Sequence, residues 1–274
     1  IASDYYGKGL GASLGFLVGA LVLGTALPHA LKSMGADLPW NYVVWTTSGL
    51  ALLGGALIYT AVPDGPFRTK GQHLQLTTFA QGFKKGPFRA AAFGYFGHMW
   101  ELYAFWAFVP LMLTYYNQQF PHAGLPVSLT AFFIIAAGGV ACVVSGLLSQ
   151  KILPKKLATT FLFLSFLCCS ISPLFLQNAS PTLLVVFLLF WGWVVVADSP
   201  MFSTLVAQQA PPESRGTALT IVNCIGFLIT IVSIQAVQFL LTPHNATYVF
   251  MLLAVGPLLG LLALVKKAHK PLWE

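Results

Sequence analysis

The amino-acid sequence predicts an all-α membrane protein whose chain crosses the bilayer several times. Of its 274 residues, 57% are hydrophobic and 8% are charged, whereas a soluble domain carries about 25% charged residues. The charges also cluster: within residues 9–31, 41–63, 157–212 and 216–265, Asp198 is the only Asp, Glu, Lys or Arg. A bilayer core accepts long stretches of this kind and a water-exposed surface does not. The sequence therefore predicts a polytopic helical membrane protein.

The lengths of the apolar blocks predict eight membrane spans, since a helix needs about 20 residues to cross a bilayer. In chain order we expect them at Leu10–Leu31, Tyr42–Val62, Ala90–Tyr116, Ser128–Leu148, Leu157–Leu176, Thr182–Gln209, Thr217–Leu241 and Thr247–Val265. A polar stretch from Asp64 to Arg89 holds five of the fourteen basic residues. We therefore expect a two-helix unit over residues 1–63, a hydrophilic loop over 64–89, and a six-helix bundle with a short tail over 90–274.

The basic residues predict the orientation of these spans. An even number of spans places both ends of the chain on one side, and thirteen of the fourteen Lys and Arg residues then fall on that side. Lys32 alone falls on the other side. Because Lys and Arg are enriched in cytoplasmic loops, we expect both ends of this chain to be cytoplasmic.

Composition and motifs exclude several other classes of protein. The net charge of +7 comes from short loops between apolar blocks rather than from a continuous basic patch, so nucleic acid is not an expected partner. The four cysteines lie inside apolar blocks, and we expect no metal site and no cofactor. The sequence lacks the motifs of zinc hydrolases, serine hydrolases and nucleotide-binding loops. We therefore expect neither an enzyme nor an ATP-driven pump.

A short internal repeat links the starts of the first and seventh predicted spans. Lys8-Gly9 and Arg215-Gly216 each precede small residues, and the two pairs lie 207 positions apart. Helices that start at a cytoplasmic face favour glycine and basic residues, so coincidence stays open as an alternative. Two six-helix halves joined by a basic loop resemble the major facilitator superfamily. In that resemblance the spans correspond to helices five to twelve of twelve, and we expect four more helices upstream of Ile1.

Three motifs extend this resemblance. The stretch from Gly146 to Lys156 is similar to the family's cytoplasmic loop between its eighth and ninth helices, although its acidic position is Gln150 and one residue is inserted. Residues 211–216 resemble the start of the eleventh helix, and residues 97–104 resemble a bacterial cyanate- or nitrate-type branch. The positions that the resemblance assigns to the gating loops are Gly146, Lys151, Lys155, Lys156, Arg215 and Gly216.

The resemblance implies a secondary transporter in the bacterial inner membrane. Such a protein moves a small solute by alternating access, and we expect coupling to protons. The expected partners are the solute, protons and the lipid bilayer, and the expected working unit is a monomer. An uncoupled facilitator and a non-transporting receptor or scaffold stay open as alternatives.

Glu101 is the first candidate for chemistry, because it lies near the middle of the third predicted span. Burying an acid there costs about 2.5 to 3.5 kcal/mol. Tyr95, His98 and Glu101 recur at every third residue, so they share a helical face and can share a proton or hydrogen bonds. The functional hypothesis is a proton-coupling or substrate-contacting group. The alternative is a buried polar pair that fixes helix packing.

Asp198 is the second candidate, and it stands next to a helix-breaking sequence. Pro200 removes a backbone donor, so the pattern predicts a kink beside the acid. Ser199 and Ser203 lie four residues apart and could line a cavity there. The alternative is that Asp198 or Ser199 only satisfies backbone groups that the proline frees.

Two further stripes of residues occur at helical spacing. In the seventh predicted span the stripe is Asn223, Gly226, Thr230 and Ser233. It forms either a polar cavity wall or a set of hydrogen bonds between helices. In the first predicted span Gly11, Gly15 and Gly19 recur every four residues and predict a close-packing face for another helix.

Overall fold

The computed structural model describes residues 5, 9–34, 39–63, 65–66, 82–210 and 215–265. These residues form helices and turns with no strand among them, which confirms the predicted all-α fold. The helices, numbered in chain order, are α1 (Leu10–Met34), α2 (Trp40–Ala61), α3 (Gly86–Gln119), α4 (Val127–Leu148), α5 (Pro154–Asn178), α6 (Pro181–Ala197), α7 (Ser199–Gln209), α8 (Arg215–Leu240), a 3₁₀ helix (Val249–Ala254) and α9 (Val255–Val265).

Six helical segments in these ranges have the length and hydropathy needed to cross a membrane: α1, α2, α4, α5, α6 together with α7, and α8. The other two predicted spans are helical as well. Val249–Val265 is a shorter apolar segment, and α3 has 34 residues. Tyrosines, His98 and Glu101 lower the mean hydropathy of α3, which is why it is not among the six.

Several predictions concern residues outside the described ranges. These are Lys8, most of the loop over 64–89 with Arg68 and Lys70, residues 211–214, and the tail over 266–274. The structure does describe Lys84, Lys85 and Arg89 at the end of the loop, and Arg215 at the start of α8.

Helices α1 and α4 run antiparallel and pack closely along their length. Gly11 lies against Ser149 just after α4, and Gly19 lies against Gly139 earlier in the helix. A Cβ atom added to Gly15 would lie 2.7 Å from the carbonyl oxygen of Cys142. These contacts confirm the close-packing face that the glycine spacing predicts, because any larger side chain would force the two backbones apart.

The same contacts place Lys32 and the lysines after α4 at opposite ends of the molecule. Lys32 lies in the last turn of α1, whereas Lys151 follows the end of α4 that contacts the start of α1. This arrangement agrees with the predicted topology. We call the end of the molecule that carries Lys151, Lys155 and Lys156 the basic end.

Helix α3 is the central element of the group α3 to α9. We call this group the six-helix bundle, counting α6 with α7 as one segment and the 3₁₀ helix with α9 as another. It contacts α4, α5, α6, α7, α8, α9 and the 3₁₀ helix. Its buried residues therefore lie on all sides of the helix rather than on one stripe. A helix surrounded in this way can carry His98 and Glu101 without presenting them to lipid. By contrast, α2 buries none of its residues among the described helices.

The final span starts as a 3₁₀ helix rather than as the single α-helix that its apolar run predicts. Pro257 has no backbone N–H to donate, and its ring crowds the carbonyl four residues earlier. The indole Nε1 of Trp100 donates to the carbonyl of Leu252, at 3.2 Å.

Helices α3 and α9 cross closely at Gly97 and Gly256. A Cβ atom on Gly97 would collide with the carbonyl oxygen of Gly256.

Candidate functional site

Four buried polar residues lie on α3 and at the junction between α6 and α7. His98 and Glu101 are each 1% exposed, Asp198 is 0% exposed, and Ser199 is 8% exposed. All four therefore lie inside the six-helix bundle. Helix α3 positions His98 and Glu101, and the junction between α6 and α7 positions Asp198 and Ser199.

The junction between α6 and α7 is a true break in the helix. Helix α6 ends at Ala197, Asp198 is a turn residue, and α7 begins at Ser199 with Pro200 in its first turn. Because Pro200 cannot donate, the carbonyl of Val196 loses its helical partner. The thiol of Cys142 on α4 donates to that carbonyl at 3.3 Å. The freed carbonyl of Val196 thus has the Cys142 thiol and the backbone N–H of Asp198 as donors.

His98 connects the two residues of this break. Its Nδ1 lies 2.9 Å from Asp198 Oδ1, and its Nε2 lies 2.6 Å from Ser199 Oγ. Which nitrogen carries the hydrogen depends on the tautomer. The structure therefore joins His98 to Asp198, whereas the spacing along the sequence had suggested Glu101 as its partner.

Glu101 has different partners, which lie on α5 and α6. Its Oε1 accepts hydrogen bonds from Ser165, from the thiol of Cys169 at 3.2 Å and from the indole of Trp191 at 2.7 Å. The sequence patterns did not single out Trp191, Ser165 or Cys169. One signal was present: Ser165 and Cys169 are four residues apart, so both face the same side of α5.

Asp198 has fewer side-chain partners than Glu101. Its Oδ1 lies 2.9 Å from His98 Nδ1, and His98 is its one side-chain partner among the described residues. The backbone N–H groups of Asp198 and Ser199 also contact its carboxyl group. A buried carboxylate is costly unless such donors surround it, so these contacts hold the carboxyl group at the break.

The other predicted site residues fall into two groups. Tyr95 is buried and packs on the His98 ring with the ring centroids 6.0 Å apart, while Ser203 is half-buried one turn beyond Ser199. Thr230 on α8 donates to the carbonyls of Met99 and Gly226, each at 3.1 Å. Of the stripe predicted on the seventh span, which is α8, the residues Gly226, Thr230 and Ser233 are buried. The two contacts of Thr230 favour hydrogen bonding as the role of this buried part. Asn223 is exposed.

The predicted gating residues lie at the basic end. Gly146 packs against Gly15 of α1, and Lys151, Lys155 and Lys156 are exposed. Lys155 lines a pocket of about 110 Å³ together with the first turn of α3, the end of α7 and Leu264. Arg215 and Gly216 open α8, and the space beside Gly216 is open. The described residues give none of the three lysines an acidic partner.

The order Ser199, His98, Asp198 matches the order of groups in a serine hydrolase triad. That chemistry requires a substrate carbonyl to reach the serine oxygen, and Ser199 is buried inside the bundle. A chain of these three groups can also move a proton without any nucleophilic attack. The described residues include no group of three potential metal ligands. The contacts of His98 with Asp198 and Ser199 place these three groups within reach of proton exchange.

Comparison with known proteins identifies the family. A family model described as Major Facilitator Superfamily matches residues 5–234 and also residues 91–273. No curated protein matches the chain. The match covers far more than half of the sequence and agrees with the all-helical bundle and its apolar spans. The chain belongs to the Major Facilitator Superfamily and is a membrane transporter protein of that kind.

Proposed function

We propose that this protein is a proton-coupled secondary transporter of a small solute. The observation that carries the proposal is the burial of Asp198 inside the six-helix bundle, in contact with His98. Ionisable residues at membrane depth are expensive, and they commonly serve ion pathways or proton relays. Because the chain belongs to a transporter family, we assign these residues to the coupling of proton movement to solute transport.

The packing of α1 on α4 suggests how the solute path opens. In this proposal α1 and α2 belong to one bundle and α3 to α9 form the other. Alternating access rocks one bundle against the other around a central site. The glycine contacts between α1 and α4 allow close approach of the two units. We further propose that the protein acts as a monomer in the bacterial inner membrane, with its basic end in the cytoplasm.

The solute is best sought among small polar compounds and small inorganic anions. The similarity of residues 97–104 to a cyanate- or nitrate-type branch supports including both anions in a panel. A screen of thermal stabilisation selects compounds for transport assays, because a ligand that binds the folded state raises the melting temperature by mass action.

Proteoliposomes loaded with the pH dye pyranine test the coupling. The protein, expressed from its complete native gene, is reconstituted, and each compound selected by the screen is added outside. We expect solute entry together with a change in internal pH. Solute entry without a pH change would instead indicate an uncoupled facilitator, and binding without entry would indicate a receptor. Empty liposomes provide the control for passive leakage of protons and solute.

His98→Gln is expected to shift the pH dependence of solute uptake. The amide side chain keeps hydrogen-bonding capacity but cannot take up a proton near neutral pH. Uptake rates of the variant and the wild type are measured across the same pH series. His122→Gln is a matched control, because His122 lies in the exposed turn after α3. Superimposable profiles for the wild type and His98→Gln would contradict a role for His98 in proton coupling.

A further inference from the structure

We propose that Asp198 holds the exchangeable proton and that His98 and Ser199 form its relay at the break between α6 and α7, while Glu101 keeps one protonation state. This assignment rests on the proposed function, since it names which acid performs the coupling. It differs from the sequence-based hypothesis, in which Glu101 and His98 act as a pair.

The contacts of Asp198 provide the first argument. It is completely buried, and the one side-chain nitrogen within hydrogen-bonding distance of its carboxyl group among the described residues belongs to the imidazole of His98. An imidazole is the side chain best suited to exchange a proton near neutral pH. The 2.9 Å separation of Oδ1 and Nδ1 is within reach of direct transfer.

The relay can be written with its protons balanced. In the loaded state Asp198 carries a proton on Oδ1, and neutral His98 carries its hydrogen on Nε2. The O–H bond of Asp198 breaks as an N–H bond forms at Nδ1. Nε2 then passes its hydrogen to Ser199 Oγ, and the Ser199 hydroxyl gives up its own hydrogen to a water molecule, which reaches this buried hydroxyl when the solute path opens. The final state has an Asp198 carboxylate, neutral His98 with hydrogen on Nδ1, and an intact Ser199 hydroxyl. One proton has left.

The contacts of Glu101 provide the second argument. Three donors converge on one oxygen, Oε1, and all three come from side chains packed inside the bundle. The Trp191 indole can only donate, so it cannot receive a proton from Glu101. No imidazole contacts Glu101 among the described residues. The carboxyl group of Glu101 is thus held by three donors on α5 and α6, whereas that of Asp198 lies next to an imidazole.

A metal cation fits this break less well than a proton does. A sodium ion in a broken transporter helix is held by several oxygens, including unwound backbone carbonyls. Here the nearest polar contact of Asp198 is a nitrogen, and the freed Val196 carbonyl is already bonded to Cys142. The His98 ring is also covered by Phe202, with centroids 5.8 Å apart. A proton needs neither extra oxygen ligands nor space.

Other titratable groups on the elements packed against the break define its environment. On α3 they are Arg89, Tyr95, His98, Glu101, Tyr103, Tyr115 and Tyr116, on α4 Cys142, on α5 Cys168 and Cys169 with Lys155 and Lys156 at the basic end, on α8 Arg215 and Cys224, and on α1 His29 and Lys32 at the far end. In this set, His98 is the group whose contact with the Asp198 side chain is within hydrogen-bonding distance.

Infrared difference spectroscopy tests the assignment with the proton itself as the probe. The wild-type protein in a lipid bilayer is stepped in pH, and the carbonyl-stretch band of protonated carboxyl groups is followed. We expect a pH-dependent band that Asp198→Asn abolishes and Glu101→Gln retains. Ser199→Ala is expected to keep the band but slow its response to a pH jump. Loss of the band in Glu101→Gln with retention in Asp198→Asn would overturn the assignment, and so would its retention in both variants.

Two further measurements keep the test decisive. Asp198→Glu moves the carboxyl by one methylene, so a band that belongs to Asp198 must change position, and an unchanged band contradicts the assignment. This variant serves if Asp198→Asn does not fold. Replacing sodium by choline is expected to leave the titration unaltered, and sodium-dependent loss of the band would contradict a proton-only site. None of these readouts needs a solute, so failure of solute-linked pH changes would reject the proposed function independently.

Discussion

Glu101→Leu is expected to lower the free energy of unfolding by about 3 kcal/mol or more, because each buried donor left without a partner costs about 1 to 3 kcal/mol. The substitution removes the single acceptor of Ser165, Cys169 and Trp191 at once. The expected readout is a large fall in the fraction of protein that stays monodisperse on size-exclusion chromatography after heating.

Glu101→Gln provides the matched control for this prediction. Its amide oxygen can take the place of Oε1 and still accept from the three donors, so we expect a much smaller loss of stability. Equal stability of the Leu and Gln variants would mean that the three hydrogen bonds contribute nothing to the folded bundle, and the prediction would be wrong. The comparison also measures stability separately from proton exchange, which Glu101→Gln is expected to preserve.

Gly97→Ala is expected to destabilise the protein strongly, although it adds only one methyl group. The new Cβ atom would collide with the carbonyl oxygen of Gly256 and lie 3.0 Å from the Cα atom of Gly260. These are backbone atoms, so neither can rotate away, and α9 must shift relative to α3. Overpacking of this kind costs about 1 to 3 kcal/mol, and backbone neighbours place this case at the upper end. Melting temperature in detergent measures the effect.

Gly55→Ala is the control, since it makes the same chemical change in a helix with open space. No atom lies within 4 Å of the position that a Cβ would take on Gly55. Alanine has a helix propensity about 1 kcal/mol better than glycine, so we expect unchanged or slightly higher stability. A fall in melting temperature as large as that of Gly97→Ala would show that glycine loss in general, rather than the α3–α9 crossing, is responsible.

Much of the fold could be predicted because it depends on patterns that lie within single segments. Apolar runs of membrane length located the helices, and Pro200 located the break beside Asp198. The glycine spacing in α1 predicted its contact face. The start of the last span was predicted as α-helix and is a 3₁₀ helix. An apolar run gives the length of a span, but it does not show how Pro257 changes the helical turns before it.

The partners within the site could not be predicted in the same way. A spacing of three residues places His98 and Glu101 on roughly one side of α3, with about 60° between them around the helix axis. That difference is enough to direct one toward the α6–α7 break and the other toward α5. Sequence periodicity gives a residue's position around its own helix, but it does not say which neighbouring helix lies there. Trp191 was missed for this reason.

The central position of α3 also affects how the protein is made. A translocon selects spans by hydropathy, and α3 carries an acid and an imidazole that an isolated helix would expose to lipid. Glu101 meets Ser165 only 64 residues later in the chain, and His98 meets Ser199 101 residues later. At ordinary synthesis rates the longer interval lasts roughly 5 to 20 seconds. Biosynthesis therefore supplies Ser165 and Cys169 to Glu101 first, and the partners on α6 and α7, which are Trp191, Asp198 and Ser199, follow together in the next span.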